Sequence, residues 1–167
     1  LKKLILAAAL VAFAGPLHAQ TNGAAQPITD AQFAEVAAMS NMFEIESSRL
    51  ALQKAQAPEV KTFAQKMIDD HTKVGAELKS VASGMSGKVK LPQKLDAEHQ
   101  AILDALKAEE GNDFDDEYID AQVEAHQKAV NVFGTFAKSN SKGELNAFAQ
   151  KNLPALEEHL QHVEKMD

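Results

Sequence analysis

Large apolar side chains recur along this chain at spacings of three and four residues. In one segment Phe63, Met67, Val74, Leu78 and Val81 fall within an arc of about 60° when each residue advances about 100°. The same period sets Phe114, Tyr118, Ala129, Phe133 and Phe136 on a second stripe, and Leu145, Phe148, Leu156, Leu160 and Val163 on a third. Val36, Met39, Phe43 and Leu50 define a fourth nearer the start. No segment sustains the alternation of a strand.

Local signals bound four long helices. Thr29 and Gln32 form a capping-box pair that opens the first, over 30–54. Pro58 suits the first turn of the second, over 58–82. The run "SGMSGKVKLPQK" at 83–94 breaks the pattern, and a shorter helix over 95–108 ends at Gly111. Asp113 is placed to cap the third long helix, over 114–138, and Ser141 with Glu144 opens a fourth that runs to the C-terminus. Short connections within each pair and a long one between pairs predict an all-α, ferritin-like four-helix bundle, with the short extra helix in the crossover. The repeated "FAQK" at 63–66 and 148–151 is a faint echo of two related halves.

The helical arithmetic also sorts the polar residues. His71 lies at the edge of its stripe, Gln122 and His126 lie within theirs, and Asn152 and His159 lie within the last. Asp70 sits at the other margin of the second helix, while Asp69 points outward. On the first helix Glu46 borders the stripe and Glu44 turns away. Polar groups buried without partners cost about 1–3 kcal/mol each, so groups at the seam must meet one another, water or a metal. Neutral imidazole suits Zn, Fe or Cu, and a carboxylate balances charge. His71, His126, His159 and Glu46 are therefore the candidate metal ligands, with Gln122, Asn152 and Asp70 as supporting polar groups.

Counting from the turns at 1.5 Å per residue offsets Glu46 from His71 by about 9 Å, and His126 from His159 by about 7 Å. A shared ion needs imidazole nitrogens within about 6 Å of one another. Two readings therefore stand together: a metal held through histidines, in a stress or envelope role, or a metal-free polar band in a non-catalytic envelope interaction protein.

Composition narrows the classes. The net charge of −7 gives no electrostatic reason to bind nucleic acid or anionic lipid. The absence of cysteine removes disulfides, thiolate metal sites and thiol catalysis. Ser47 and Ser48 have no positioned base in view, so hydrolysis gains no support and no reaction is named. At the start, Lys2 and Lys3, an apolar run, Gly15-Pro16 and a small Ala19 have the layout of a secretory signal peptide over 1–19. The expected mature chain has a leader over 20–29 and the bundle over 30–167, exported or periplasmic, with no transmembrane segment.

Three blocks carry a resemblance: "FEIESSRLALQKAQAPEVKTFAQKMIDDHTKV" at 43–74, "FDDEYIDAQVEAHQKAVNVF" at 114–133 and "LNAFAQKNLPALEEHL" at 145–160. In order and over nearly all of the expected mature chain, they resemble the bacterial exported family called domain of unknown function 4142. The resemblance implies a ferritin-like fold and places His71, Gln122, His126 and His159 on the family's motif positions, with Glu44 and Glu46 in the first helix. Iron-oxidising ferritins carry Glu-x-x-His on two helices. This chain has none, so neither a di-iron carboxylate centre nor ferroxidase activity is expected.

Overall fold

A computed structural model describes residues 28–85, 89–139 and 142–167. The predicted signal peptide at 1–19, most of the leader and Ser141 lie outside the described residues. Five helices follow in order: α1 (Asp30–Lys54), α2 (Pro58–Gly84), α3 (Ala97–Ala108), α4 (Gly111–Ala137) and α5 (Glu144–Val163). Among the described residues there is no strand, and no helix is long and apolar enough to cross a membrane.

The local signals explain most boundaries. Thr29 caps α1 in the expected box: its side chain accepts from Gln32 N, and the Gln32 side chain accepts from Thr29 N at 2.9 Å. Pro58 opens α2, where its missing N–H costs nothing. Asp113, in contrast, does not cap α4. The chain turns one residue after Glu110 through Gly111, whose φ of 65° suits glycine, and Asp113 lies inside the first helical turn.

Cross-helix contacts set the topology. Phe33 of α1 stacks on Phe136 near the end of α4, with ring centroids 4.0 Å apart, while Ser48 near the end of α1 meets Tyr118 near the start of α4 at 2.8 Å. These two helices are therefore antiparallel. Asp70 meets His159 and Glu77 meets Lys151, so α2 and α5 are antiparallel as well. α1 pairs mainly with α2 and α4 with α5, and α3 returns along the flank formed by α1 and α4. This is the two-hairpin bundle with a long crossover that the connections predicted.

The interior has layers. At one end Phe33, Phe133, Phe136 and Phe148 form an aromatic cluster with Leu78 and Leu145. At the other, Val60, Phe63, Met67, Phe114, Tyr118 and Val163 pack together. Between them the buried residues include Asn41, Glu44, Ser47, Ser48, His71, Gln122, His126 and His159. Two dry layers thus enclose a polar one, which excludes bulk water from it.

A carboxylate joins the two hairpins. The N-cap residue of α2, Ala57, has no side chain that can cap the helix. The N–H groups of the preceding turn are held from across the bundle instead, with Asp115 of α4 accepting from Gln56 N at 3.0 Å and from Ala57 N at 2.7 Å. Hydrogen bonds to charged groups contribute about 1.5–3 kcal/mol each, so Asp115→Ala should cost about 3 kcal/mol. For a chain of this size that lowers Tm by about 6–12 °C in a thermal melt. Asp115→Asn, which keeps one acceptor oxygen, should lose less.

Candidate metal centre

The polar layer is assembled by four helices. α2 contributes His71, α4 His126 and α5 His159, and all three are buried, at 4%, 1% and 2% exposure. Their ring centroids are 5.9 Å apart for His71–His126, 5.6 Å for His71–His159 and 5.5 Å for His126–His159. One ring nitrogen from each lies within 4.8 Å of the others. That meets the 6 Å requirement, and a shift of under about 1 Å per ring would bring each nitrogen to a bond length of 2.0–2.1 Å.

The second nitrogen of each ring is engaged away from the cluster. His126 Nδ1–H donates to the Gln122 carbonyl at 2.9 Å. His71 Nδ1–H donates to Asn41 Oδ1 at 3.2 Å. His159 Nε2–H donates to Asp70 Oδ2 at 3.2 Å, and Asp70 is held in turn by Lys66 at 2.7 Å. The Gln122 carbonyl and Asn41 Oδ1 each fix one tautomer, whereas His159 Nε2 faces both the Asp70 acceptor and the Lys66 ammonium, the latter at 3.3 Å. Left over are His71 Nε2, His126 Nε2 and His159 Nδ1, all buried and without a hydrogen-bond partner. Metal-binding histidines are oriented by the same kind of outer contact to a carbonyl or carboxylate.

Electrostatics keep the His71 and His159 rings neutral. Burial, followed by the charge the other two rings would carry, holds His71 well below the usual histidine range. Burial and then His126 lower His159 to about 4, against an opposing pull from Asp70. Burial opposes ionisation of Asp70, but its hydrogen bonds from Lys66 and His159 prevail and bring it down to about 2. A neutral ring with a free lone pair is the ligand form of histidine.

The first helix departs from expectation. Glu46 is exposed and does not reach the seam, whereas Glu44 is buried, with Oε1 3.7 Å from His126 Nδ1. Val36, expected on the stripe, is 43% exposed. The face of α1 toward the seam carries Phe33, Ala34, Ala37, Asn41, Glu44, Ser48 and Ala51, whereas Met39 and Phe43 of the expected stripe are buried against Leu95 and Leu103 of the crossover, so phasing the helix on its large residues turned the seam toward α3. Burial raises the Glu44 carboxyl above the usual carboxylate range, against the opposing effect of His126. Its second oxygen has no partner.

The remaining candidates sort clearly. Gln122 is fully buried, donates to Ser47 Oγ at 3.2 Å and supplies the carbonyl that holds His126. Asp70 is the partner of His159 rather than of its sequence neighbour His71. Asn152 is buried but satisfied within α5, donating to Phe148 O at 2.9 Å. Asn41 was not among the candidates, because one asparagine in an alanine-rich helix gives no signal until its level beside His71 is known.

Comparison with known proteins agrees with this architecture. CopM in its Cu(II)-bound form superposes with a TM-score of 0.69, at 22% identity over 82% of this chain and 94% of CopM. Its Cu(I)-bound form gives 0.69 at 23% identity, over 83% and 94%. A DUF305 protein from Streptomyces coelicolor gives 0.65 at 13% identity, over 80% and 88%. At these identities the likeness is one of fold. No curated protein sequence matches the chain. The family model for domain of unknown function 4142 matches residues 14–166, and the chain belongs to that family.

Proposed function

We propose that this is an exported metal-binding protein that holds one transition-metal ion, copper above all, between His71, His126 and His159. The observation that carries the reading is the character of the unpartnered atoms. Among the described residues these are Glu44 Oε2, Gln122 Oε1 and one nitrogen from each of the three histidines, and of them Gln122 Oε1, His71 Nε2 and His126 Nε2 are acceptors. A buried band rich in lone pairs and short of donors calls for a cation. A single water fits less well, since its two protons would leave one of the three free nitrogens, which lie within 4.8 Å of one another, without a donor.

The donor set suits the ion. Three imidazoles favour Cu, Zn, Fe or Ni over hard cations, and affinity among the divalent ions peaks at copper. The fold shared with CopM, solved in Cu(I)- and Cu(II)-bound forms, supports the same choice. Asn41, the Gln122 carbonyl and Asp70 would orient the ligands, and Glu44 would place a carboxyl behind His126. A bound ion would supply positive charge at a buried place rich in acceptors. The signal-like layout of residues 1–19 supports action outside the cytoplasm, where the protein would take up the ion as cargo in an envelope or stress role.

Metal analysis after equilibrium dialysis of the metal-free protein tests the reading. One equivalent of Cu(II) per chain is expected, with Zn(II) bound more weakly at the same site. Absence of stoichiometric binding by either ion would overturn it and leave a hydrogen-bonded band that only sets helix register.

A further inference from the structure

Gly75 lies four residues after His71 on α2, one helical turn further along the same side. Its backbone is ordinary helix, so glycine's conformational freedom is not what the position uses. A helix interior is where glycine is costlier than any residue except proline. The reason for it lies across the interface. A methyl group at Gly75 would stand 2.6 Å from Asn41 Nδ2 and 3.5 Å from Asn41 Cγ. The Asn41 amide is therefore bracketed, with Gly75 on its Nδ2 side and His71 Nδ1 on its Oδ1, at 3.2 Å.

Where a displaced amide would go is also visible. Asn41 and Gly75 both line a cleft between α1, α2 and the crossover, together with Met42, Leu78 and Val89. A side chain at Gly75 would turn the amide toward that cleft without breaking either helix. His71 would then lose its outer acceptor. The acceptors left within reach are the free nitrogens of His126 and His159, so the ring would move its proton to Nε2 and donate into the cluster. That tautomer occupies a ligand position with a proton.

We infer that Gly75 is a positioning residue for the metal centre: its missing side chain holds the Asn41 amide against His71, which fixes the tautomer that presents Nε2 as a ligand. The inference rests on the proposed metal-binding reading, but its first readout requires no metal. Long-range nitrogen-15 NMR of the full chain, metal-free at pH 7.5, should report His71 as the Nδ1–H tautomer. In Gly75→Ala a large Nε2–H population should appear, while the metal-free Tm stays level or rises, as alanine favours helix. Asn41→Ala, which keeps Gly75, should produce the same tautomer change, and Asn41→Asp, which keeps an acceptor oxygen, should not. Cu(II) affinity should fall about 10- to 100-fold in Gly75→Ala, the usual effect of losing an outer partner. An unchanged His71 tautomer in both Gly75→Ala and Asn41→Ala would overturn the inference. If the wild-type chain bound no Cu(II), the metal reading would fail while the tautomer measurement still decided the role of Gly75.

Discussion

Replacing His126 and His159 together with leucine is expected to abolish the metal-dependent stabilisation of the bundle while leaving the metal-free protein folded. An ion that binds only the native state stabilises it by about 4 kcal/mol when its free concentration is about 1,000 times Kd. In a chain of this size that corresponds to a rise in Tm of about 8–16 °C, reversed by chelator. The double variant should show no rise. Its metal-free Tm is the more telling number. Leucine replaces two rings whose inward nitrogens have no partner, so the lost outer hydrogen bonds are offset by removal of unsatisfied acceptors. A site built for stability would lose heavily on this substitution, and a site built for a ligand need not. Thermal melts of both proteins, with Cu(II) and with chelator, make the comparison. Equal stabilisation by Cu(II) in the double variant would place the ion elsewhere.

The helices and the three histidines were legible because both depend on one periodicity. Large apolar residues mark the inner faces of α2, α4 and α5, and His71, His126 and His159 fall on those faces. α1 is the exception, because apart from Phe33 the face it turns to the seam is alanine, serine, Asn41 and Glu44, while Met39 and Phe43 pack against Leu95 and Leu103. Small residues let α1 approach its neighbours closely, yet they contribute little to a hydrophobic phase. Met39 and Phe43 set that phase toward the crossover and Val36 toward solvent, which exchanged Glu46 for Glu44.

The axial level failed for a different reason. Counting outward from a turn assumes that the paired helix ends are level. They are not: Asn146 Nδ2 donates to Phe136 O at 2.7 Å, setting the start of α5 alongside the last turn of α4. Levelled on that contact, the offset between His126 and His159 falls to about 4.5 Å, and the length of the imidazole side chains covers the rest. Likewise His71 is level with Asn41 and not with Glu46, in agreement with the offset counted for that pair. Tautomers, outer partners and the close approach at Gly75 depend on distances between helices, which no single-helix pattern contains.

The metal-free protein should be sensitive to mild acid, and the sign follows from the two lowered histidines. In the unfolded chain His71 and His159 take up protons near pH 6.5. In the folded protein His159 does so only near 4, and His71 is also held well below its ordinary value. Between those limits the unfolded state binds more protons, so stability is full above about pH 6.5 and falls as the pH drops toward 4. Each group contributes about 1.4 kcal/mol per pH unit, which for the pair amounts to about 4 kcal/mol lost between pH 7 and pH 5. Glu44 works in the opposite direction, because its raised carboxyl takes up a proton in the folded state first, and this offsets part of the loss. Asp70 enters later: held at about 2, it adds a loss only below its ordinary range near 3.8. Urea unfolding of the metal-free protein at pH 7, 6 and 5 measures the slope, and replacing His71 and His159 with leucine should flatten it. Bound copper should shift the acid transition to lower pH, since protons and metal compete for the same lone pairs. Stability that stays flat from pH 7 to pH 5 in the metal-free wild type would mean that His71 and His159 are not held neutral by burial, and the case for a preformed ligand set would fall with it.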